Sequence, residues 1–297
     1  MPTIAQVRND KLLGNLSAKY RNVDFIADRV FPFVPVKKNS DIYRVYERNF
    51  RVPETGRAIG GLSKEHNFNV STASYVLQRE ALKDYIPDPL KDNYDIGDLN
   101  ADTVEELSDA LLRKLEVDVL QLFTTTSWSL NVSLAAAWSS NTTTTNPILS
   151  VSTATTQVLL NSGKMPNVGL LGFDRLEYVK NHVSILDRIK YVSGEVSEKM
   201  LAGLFGLEEI MVSKAGRDTS NEGVASSLSY ILGNVFWTGY KAKPGLKSQG
   251  AGFIFRKAVP LVKRWRDEPR ESDVIELNME YTPRIVSSLS GYLIKGI

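Results

Sequence analysis

Between Asp102 and Phe123 the chain repeats Val104, Leu107, Leu111, Leu115, Val119 and Leu122 at steps of three and four, with no glycine or proline between them. That spacing predicts an amphipathic helix over 102–123, roughly 33 Å long at the usual rise per residue. Its start is placed at Asp102/Thr103, where Thr103 and Glu106 have capping-box spacing and acids crowd the positive end of the helix. No other stretch constrains the fold as strongly.

The segments before this helix do not look like core. Asn22 to Val30 can make a turn or two of helix through Val23, Ile26, Ala27 and Val30, and Phe31-Pro32-Phe33-Val34-Pro35-Val36 then favours extended backbone. Apolar side chains on an extended terminal segment need something to lie against, and another subunit could supply it. Residues 42–52 read as a strand from their β-branched and aromatic content. One face carries Ile42, Arg44, Tyr46, Arg48 and Phe50, the other Tyr43, Val45, Glu47, Asn49 and Arg51, and neither is apolar enough for a core. A second strand-like run, Phe68 to Gln78, returns after a loop containing Pro53, Gly56, Gly60 and Gly61. Long loops inside compact domains are usually functional or mobile, so a two-faced polar hairpin suits a projecting arm.

Residues 87–100 read as an acidic loop, and the Ser/Thr-rich stretch 124–146 as a surface loop with a short strand. From 147 to 240 the order is helix (148–161, ended by Gly163), buried strand (168–173), one or two helices through Leu176 and Ile189, helix (197–205, closed by Gly206), and strands at 210–212 and 231–237. This is an α/β core. After Lys241 come strands, Val274–Tyr281 and Arg284–Ile294, which have to pair back with the middle of the chain.

Composition narrows the chemistry. A chain of 297 residues can bury a large core without cross-links, and with no cysteine it has neither disulfides, thiolate nucleophiles nor zinc–thiolate sites. Only His66 and His182 are present, so metal chemistry would rest on carboxylates. No apolar run approaches the ~20 residues of a membrane span, and the formal charge of +2 is small for a dedicated DNA-binding module. Phosphate-loop, dinucleotide-binding and nucleophile-elbow motifs are missing; Gly169/Gly172 and Gly203/Gly206 read as part of a strand and a helix end. His182, Ser184 and Asp187 offer triad residue types, but so close together on one helix-turn segment they cannot converge on one reacting centre. Asp84, Asp88, Asp92, Asp95 and Asp98 lack the order and closing glutamate of a calcium loop. Trp265, between Arg264 and Arg266, reads as a packed side chain rather than a base-stacking platform. No catalytic, cofactor or metal site is assigned, and the chain is not read as an enzyme.

Charge is nevertheless segregated. Residues 1–57 carry 11 Lys/Arg against 6 Asp/Glu, residues 80–118 carry 12 acids against 4 bases, and residues 241–270 carry 9 bases against 2 acids. Such blocks fit self-complementarity, in which a basic stretch of one copy meets an acidic stretch of another and fixes register more than affinity.

The collinear set of parts resembles the major capsid protein of tailed bacteriophages, with the Hong Kong 97-type fold, an α+β architecture. Arg21-Asn-Val-Asp-Phe-Ile-Ala-Asp-Arg-Val-Phe-Pro-Phe-Val-Pro-Val36 looks like the family's N-terminal arm, the 42–78 hairpin like its extended loop, and 102–123 like its long spine helix. His182–Tyr191, Met200–Phe205 and Ile210–Ser213 are similar to the axial domain; Phe236-Trp237, Lys243-Pro-Gly-Leu246 and Gly291-Tyr-Leu-Ile294 also fit. The resemblance implies an arm at 1–36, an extended β-hairpin loop at 37–82, a peripheral domain from 83–147 and 241–297, and an axial α/β domain at 148–240. It further implies self-assembly into pentamers and hexamers of an icosahedral shell around double-stranded DNA, contacted non-specifically, with assembly in the host bacterial cytoplasm and no membrane partner.

A separate scaffolding protein, a portal and a cementing protein are the expected partners. No trio for a covalent cross-link is identified. The expected intersubunit contacts set Arg44, Arg48, Arg51 and Arg57 of the hairpin against Asp98, Asp102, Glu105, Glu106 and Asp109 of a neighbour. The rival expectations are a cellular compartment of the same fold holding cargo enzymes, a small-molecule enzyme built on the 147–240 core, and a cell-surface β-rich binding protein.

Overall fold

The structure is a computed structural model and describes residues 8–9, 25–46, 55–57, 59–63, 70–92, 98–124, 128–140, 145–190, 196–221, 223–246 and 248–297. The N-terminal elements are β1 (Arg8–Asn9), α1 (Ala27–Val30), β2 (Phe33–Val36), β3 (Ser40–Tyr46) and β4 (Val70–Val76). Next come β5 (Gln78–Pro87), α2 (Asp88–Asp92), α3 (Leu99–Thr124) and β6 (Leu130–Ser133). The middle of the chain forms α4 (Pro147–Ser162), β7 (Val168–Gly172), α5 (Phe173–Lys180), α6 (Val183–Ile189), α7 (Glu198–Phe205) and β8 (Glu209–Ser213). The last elements are β9 (Gly216–Asp218), β10 (Leu228–Tyr230), β11 (Val235–Gly239), β12 (Gly252–Asp267), β13 (Ser272–Ile285) and β14 (Gly291–Lys295).

Two sheets organise these elements. In the first, the order is β1-β12-β13-β5, with β2 lying parallel beside β12. Helix α3 packs along β13 and β5, and its buried stripe includes Val104, Leu111, Leu115, Val119, Leu120 and Phe123. The second sheet has the order β6-β14-β11-β7-β8. Every residue of β7 and of β11 is buried, as expected for inner strands covered on both faces. Helix α4 lies against β11 and β14, and α7 against β8. Strands β3 and β4 form a separate antiparallel pair, with Tyr43 and Tyr75 packed on Phe255 of β12.

Local sequence explains the helix ends. Asn146 accepts the N–H groups of Ile148 and Leu149 at 3.0 and 3.3 Å, Pro147 opens α4, and Gly163 closes it at φ 64°. Ser197 accepts from Met200 at the start of α7, and Gly206 closes that helix at φ 70°.

The long helix corrects the expected start. It begins at Leu99 and runs 26 residues. Asp98 takes the capping role, accepting the Asn100 N–H at 3.0 Å, while the Thr103 hydroxyl donates to the Leu99 carbonyl at 2.8 Å from inside the first turn. The expected acidic loop 87–100 contains α2. The strand expected over 231–237 begins only at Val235, because Ile231 and Leu232 are buried in a bend. The hairpin is described over Ser40–Tyr46 and Val70–Val76; its expected residues 47–52 and 68–69 lie outside the described residues.

The expected domain division does not follow the sheets. β5 runs unbroken across 82/83, and β6 and β14 of the expected peripheral domain belong to the second sheet. Tyr292, Leu293 and Ile294 of β14 pair with Leu130–Val132 on one side and with Phe236–Thr238 on the other, so that strand can be buried only there.

Candidate intersubunit surfaces

Residues 25–36 lie against α3 and the start of β12. Ile26, Ala27, Val30 and Phe31 are buried, and the Phe31 ring sits 5.3 Å from Phe123 and 6.3 Å from Trp237. Trp128 packs 5.2 Å from Trp237, extending the aromatic cluster towards Gly291. Beneath α1 lies Glu116, whose Oε2 accepts the N–H of Ala27 at 2.7 Å and whose two oxygens share the N–H of Ile26 at 3.1 and 3.2 Å. Burial pushes the Glu116 carboxyl up to about 7; the bonds from Ala27 and Ile26 pull the other way, and Asp28 adds to the rise. Sequence reasoning counted Glu116 only as one acid among many. The signal was its position: one turn from both Leu112 and Leu120, it falls on the edge of the apolar stripe.

A second charged cluster closes the far end of the first sheet. Asp88 of α2 accepts a forked bond from Arg266, with one arm at 2.6 Å, and Lys91 and Arg264 converge on Asp273 at 2.6 and 2.7 Å. The Arg266 guanidinium holds the Asp88 carboxyl down at about 2. Along the β12–β13 pair, Lys257 stands opposite Glu280 and Lys263 opposite Glu276, at 3.2 and 3.6 Å. These contacts correct part of the charge reading: much of the basic block 241–270 is met by acids of the same chain.

The expected hairpin cations and helix acids sit as follows. Arg44 is exposed on β3, and Arg57 is exposed but turns onto its own loop, its Nε donating to the Gly61 carbonyl at 2.5 Å. Arg48 and Arg51 lie outside the described residues. On α3, Asp98 is spent on capping and Asp109 pairs with Arg113 at 2.7 Å. Asp102, Glu105 and Glu106 are exposed on the first turns.

The other candidates are structural. His182 is buried and caps α6, its Nδ1 accepting from the Ser184 N–H at 3.2 Å, while Asp187 pairs with Lys190. Within the acidic run, Asp88 is committed to Arg266, and Asp92 and Asp95 are not described at the side-chain level. No group of three potential metal ligands occurs among the described residues. A cleft of about 760 Å³ between α1 and α7 is lined by Arg29, Lys199, Glu208, Glu209 and Lys241. Arg29 pairs with Glu209 across it, so these charges join elements of the fold.

No protein-family model matches the chain. It is 25 % identical over 300 residues, spanning 97 % of this chain and 96 % of the relative, to the major capsid protein of Burkholderia phage BcepMu. Among solved structures, a phage-related protein from Bordetella bronchiseptica RB50 superimposes with a TM-score of 0.80 at 23 % identity, covering 97 % of both chains. The capsid of Cyanophage P-SCSP1u superimposes with a TM-score of 0.66 at 10 % identity, covering 93 % of this chain and 89 % of that one. The fold is the Hong Kong 97-type capsid fold. These superpositions take in 97 % and 93 % of this chain, so both sheets belong to the matched fold.

Proposed function

We infer that the chain is a phage major capsid protein, whose copies build the head shell of the virion. The observation that carries this reading is the similarity to a named major capsid protein over nearly the whole of both chains, joined to a capsid structure that superimposes over 93 % of this chain. Its role is then structural: the product of the protein is an assembly.

On this reading the copies associate as pentamers and hexamers, formed in the host bacterial cytoplasm with a separate scaffolding protein, a portal and a cementing protein as partners. The shell encloses double-stranded DNA, met through sparse Lys/Arg contacts without sequence readout. The hairpin of one copy, through Arg44, Arg48, Arg51 and Arg57, faces the acidic first turns of α3 in a neighbour, at Asp98, Asp102, Glu105, Glu106 and Asp109. Support for this pairing comes from exposure and sign: Arg44, Glu105 and Glu106 are exposed and free of ion pairs among the described residues. Each exposed pair contributes only ~0–1 kcal/mol, and repetition over a closed shell multiplies it.

Negative-stain electron microscopy of the purified chain, alone and coexpressed with its genomic neighbours, tests the reading. Closed shells or rings of five and six support it, and their contents separate a virion from a cargo compartment. A strictly monomeric protein under both conditions, even at high concentration, overturns it. Charge reversal at Arg48 and Arg51 should impair shells while leaving the subunit folded; normal shells would sink the pairing.

A further inference from the structure

Glu116 is fully buried, yet everything it binds is backbone from a segment some ninety residues earlier in the chain. The N–H groups of Ile26 and Ala27 are the open end of α1, and Ile26 has no side chain able to cap it. Glu116 therefore supplies from α3 the acceptor that the local sequence lacks. Directly after those two N–H groups the chain buries Ala27, Val30 and Phe31, then continues as β2 along β12. Glu116 thus fixes the start of the 25–36 segment, and the buried side chains and the β12 pairing hold the rest.

Among the described residues its surroundings offer it no counter-charge. On α1, Asp28 is the ionic neighbour and Arg29 is engaged by Glu209. On α3, Arg113 pairs with Asp109 and Lys114 with Asp118. From β13 the Tyr281 phenol donates to Asp118 at 2.9 Å, and Glu80 of β5 acts on that phenol. β11 presents Val235, Phe236, Trp237, Thr238 and Gly239, none of which titrates.

We propose that Glu116 is a latch for the 25–36 segment, holding it on the long helix with a grip set by whether the carboxyl carries a proton. The inference concerns a single chain and does not depend on shell formation. A proton on Oε1 gives up only the 3.2 Å branch of the shared Ile26 bond, while Oε2 keeps the 2.7 Å bond from Ala27. Ionisation instead strands a charge away from water beside Asp28.

The sign follows from linkage. With the segment released, Glu116 meets water and titrates near 4.5; docked, it holds its proton up to about 7. The docked state binds the proton more tightly, so docking is strongest at low pH and weakens as pH rises from the lower value through the higher one.

Amide hydrogen exchange of the full chain between pH 5 and 9, with intrinsic exchange rates divided out, reads this directly. Protection of residues 26–36 should fall on the order of 100-fold across that range. Protection in α4, which does not touch Glu116, should stay level. Glu116→Gln keeps an acceptor that cannot titrate and should flatten the profile, and Asp28→Asn should move the fall to lower pH. A pH-independent wild type, a fall shared equally by α4, or a Glu116→Gln chain that keeps the fall would overturn the latch. Should Glu116→Gln fail to fold, an unmoved midpoint in Asp28→Asn overturns it instead.

Discussion

One methyl group added at Gly252 should destabilise the chain in a way that a second substitution relieves. A Cβ built at Gly252 lands 2.5–2.8 Å from three atoms of the Phe31 ring. That ring is 1 % exposed and held between Phe123 and Trp237, so it cannot swing aside. Overpacking of this kind costs ~1–3 kcal/mol, partly offset by the ~0.4–1 kcal/mol that alanine gains over glycine in the unfolded chain. Gly252→Ala alone should therefore cost about 1.3 kcal/mol, and Phe31→Ala alone, which empties a buried aromatic site, about 4 kcal/mol. With the ring gone the new methyl meets open space, so the double variant should also cost about 4 kcal/mol rather than the roughly 5 expected from independent sites.

Urea unfolding of the unassembled chain measures this, followed by the fluorescence of Trp128 and Trp237 in the same cluster. At a slope of ~3 kcal/mol per molar urea, the midpoints should fall by about 0.4 M for Gly252→Ala and about 1.3 M for both other variants. Losses that add to within about 0.5 kcal/mol would show that Phe31 does not occupy the site beside Gly252.

Asn146→Ala removes the acceptor for two N–H groups at the start of α4 and should cost about 1 kcal/mol, read as a lowered unfolding midpoint. Gly206→Ala forces a side chain into left-handed backbone at φ 70°, where space is open and strain alone acts; a loss of about 1 kcal/mol is expected, and none would place that helix end elsewhere. Asp88 should titrate by NMR with a midpoint of about 2, so its pairing is complete above 3.8 and is lost as pH falls through the lower value. Arg266→Ala should return that midpoint towards the ordinary carboxylate range, and an unchanged midpoint would refute the forked bond.

What could be read from the sequence depended on whether a residue's partner lay nearby in the chain. The stripe from Val104 to Leu122, the Gly163 close of α4 and the Gly206 close of α7 are local, and the structure has each of them. The start of α3 was misplaced because two cap sequences compete there: Asp98 reaches the free N–H of Asn100 first, which leaves Thr103 a helix-interior residue. Strand β5, Gln-Arg-Glu-Ala-Leu-Lys-Asp-Tyr-Ile-Pro, shows no alternation because only Ile86 along it is buried; its pairing with β13 is a long-range fact.

The basic block 241–270 looked like a surface for a partner. In the fold the register of β12 against β13 sets Lys257 and Lys263 opposite glutamates, a match visible only once the two strands are aligned. Of the residues expected to meet between copies, Arg44 is exposed, while Arg57 and Asp109 are engaged locally. Pairing between copies cannot be written into one chain's hydrogen bonds.

The position of β14 governs the order of events during synthesis. Residues 291–295 are an inner strand of the second sheet, between β6 and β11, and β13 is likewise an inner strand of the first. Until both have left the ribosome, β5, β6 and β11 each lack a neighbour, and neither sheet can close over its core. A nascent chain thus stays unable to present finished surfaces, whatever the length already made. On the proposed shell-forming role, this makes competence all-or-none: a stalled or truncated chain has no completed face with which to join, and so to poison, a growing assembly.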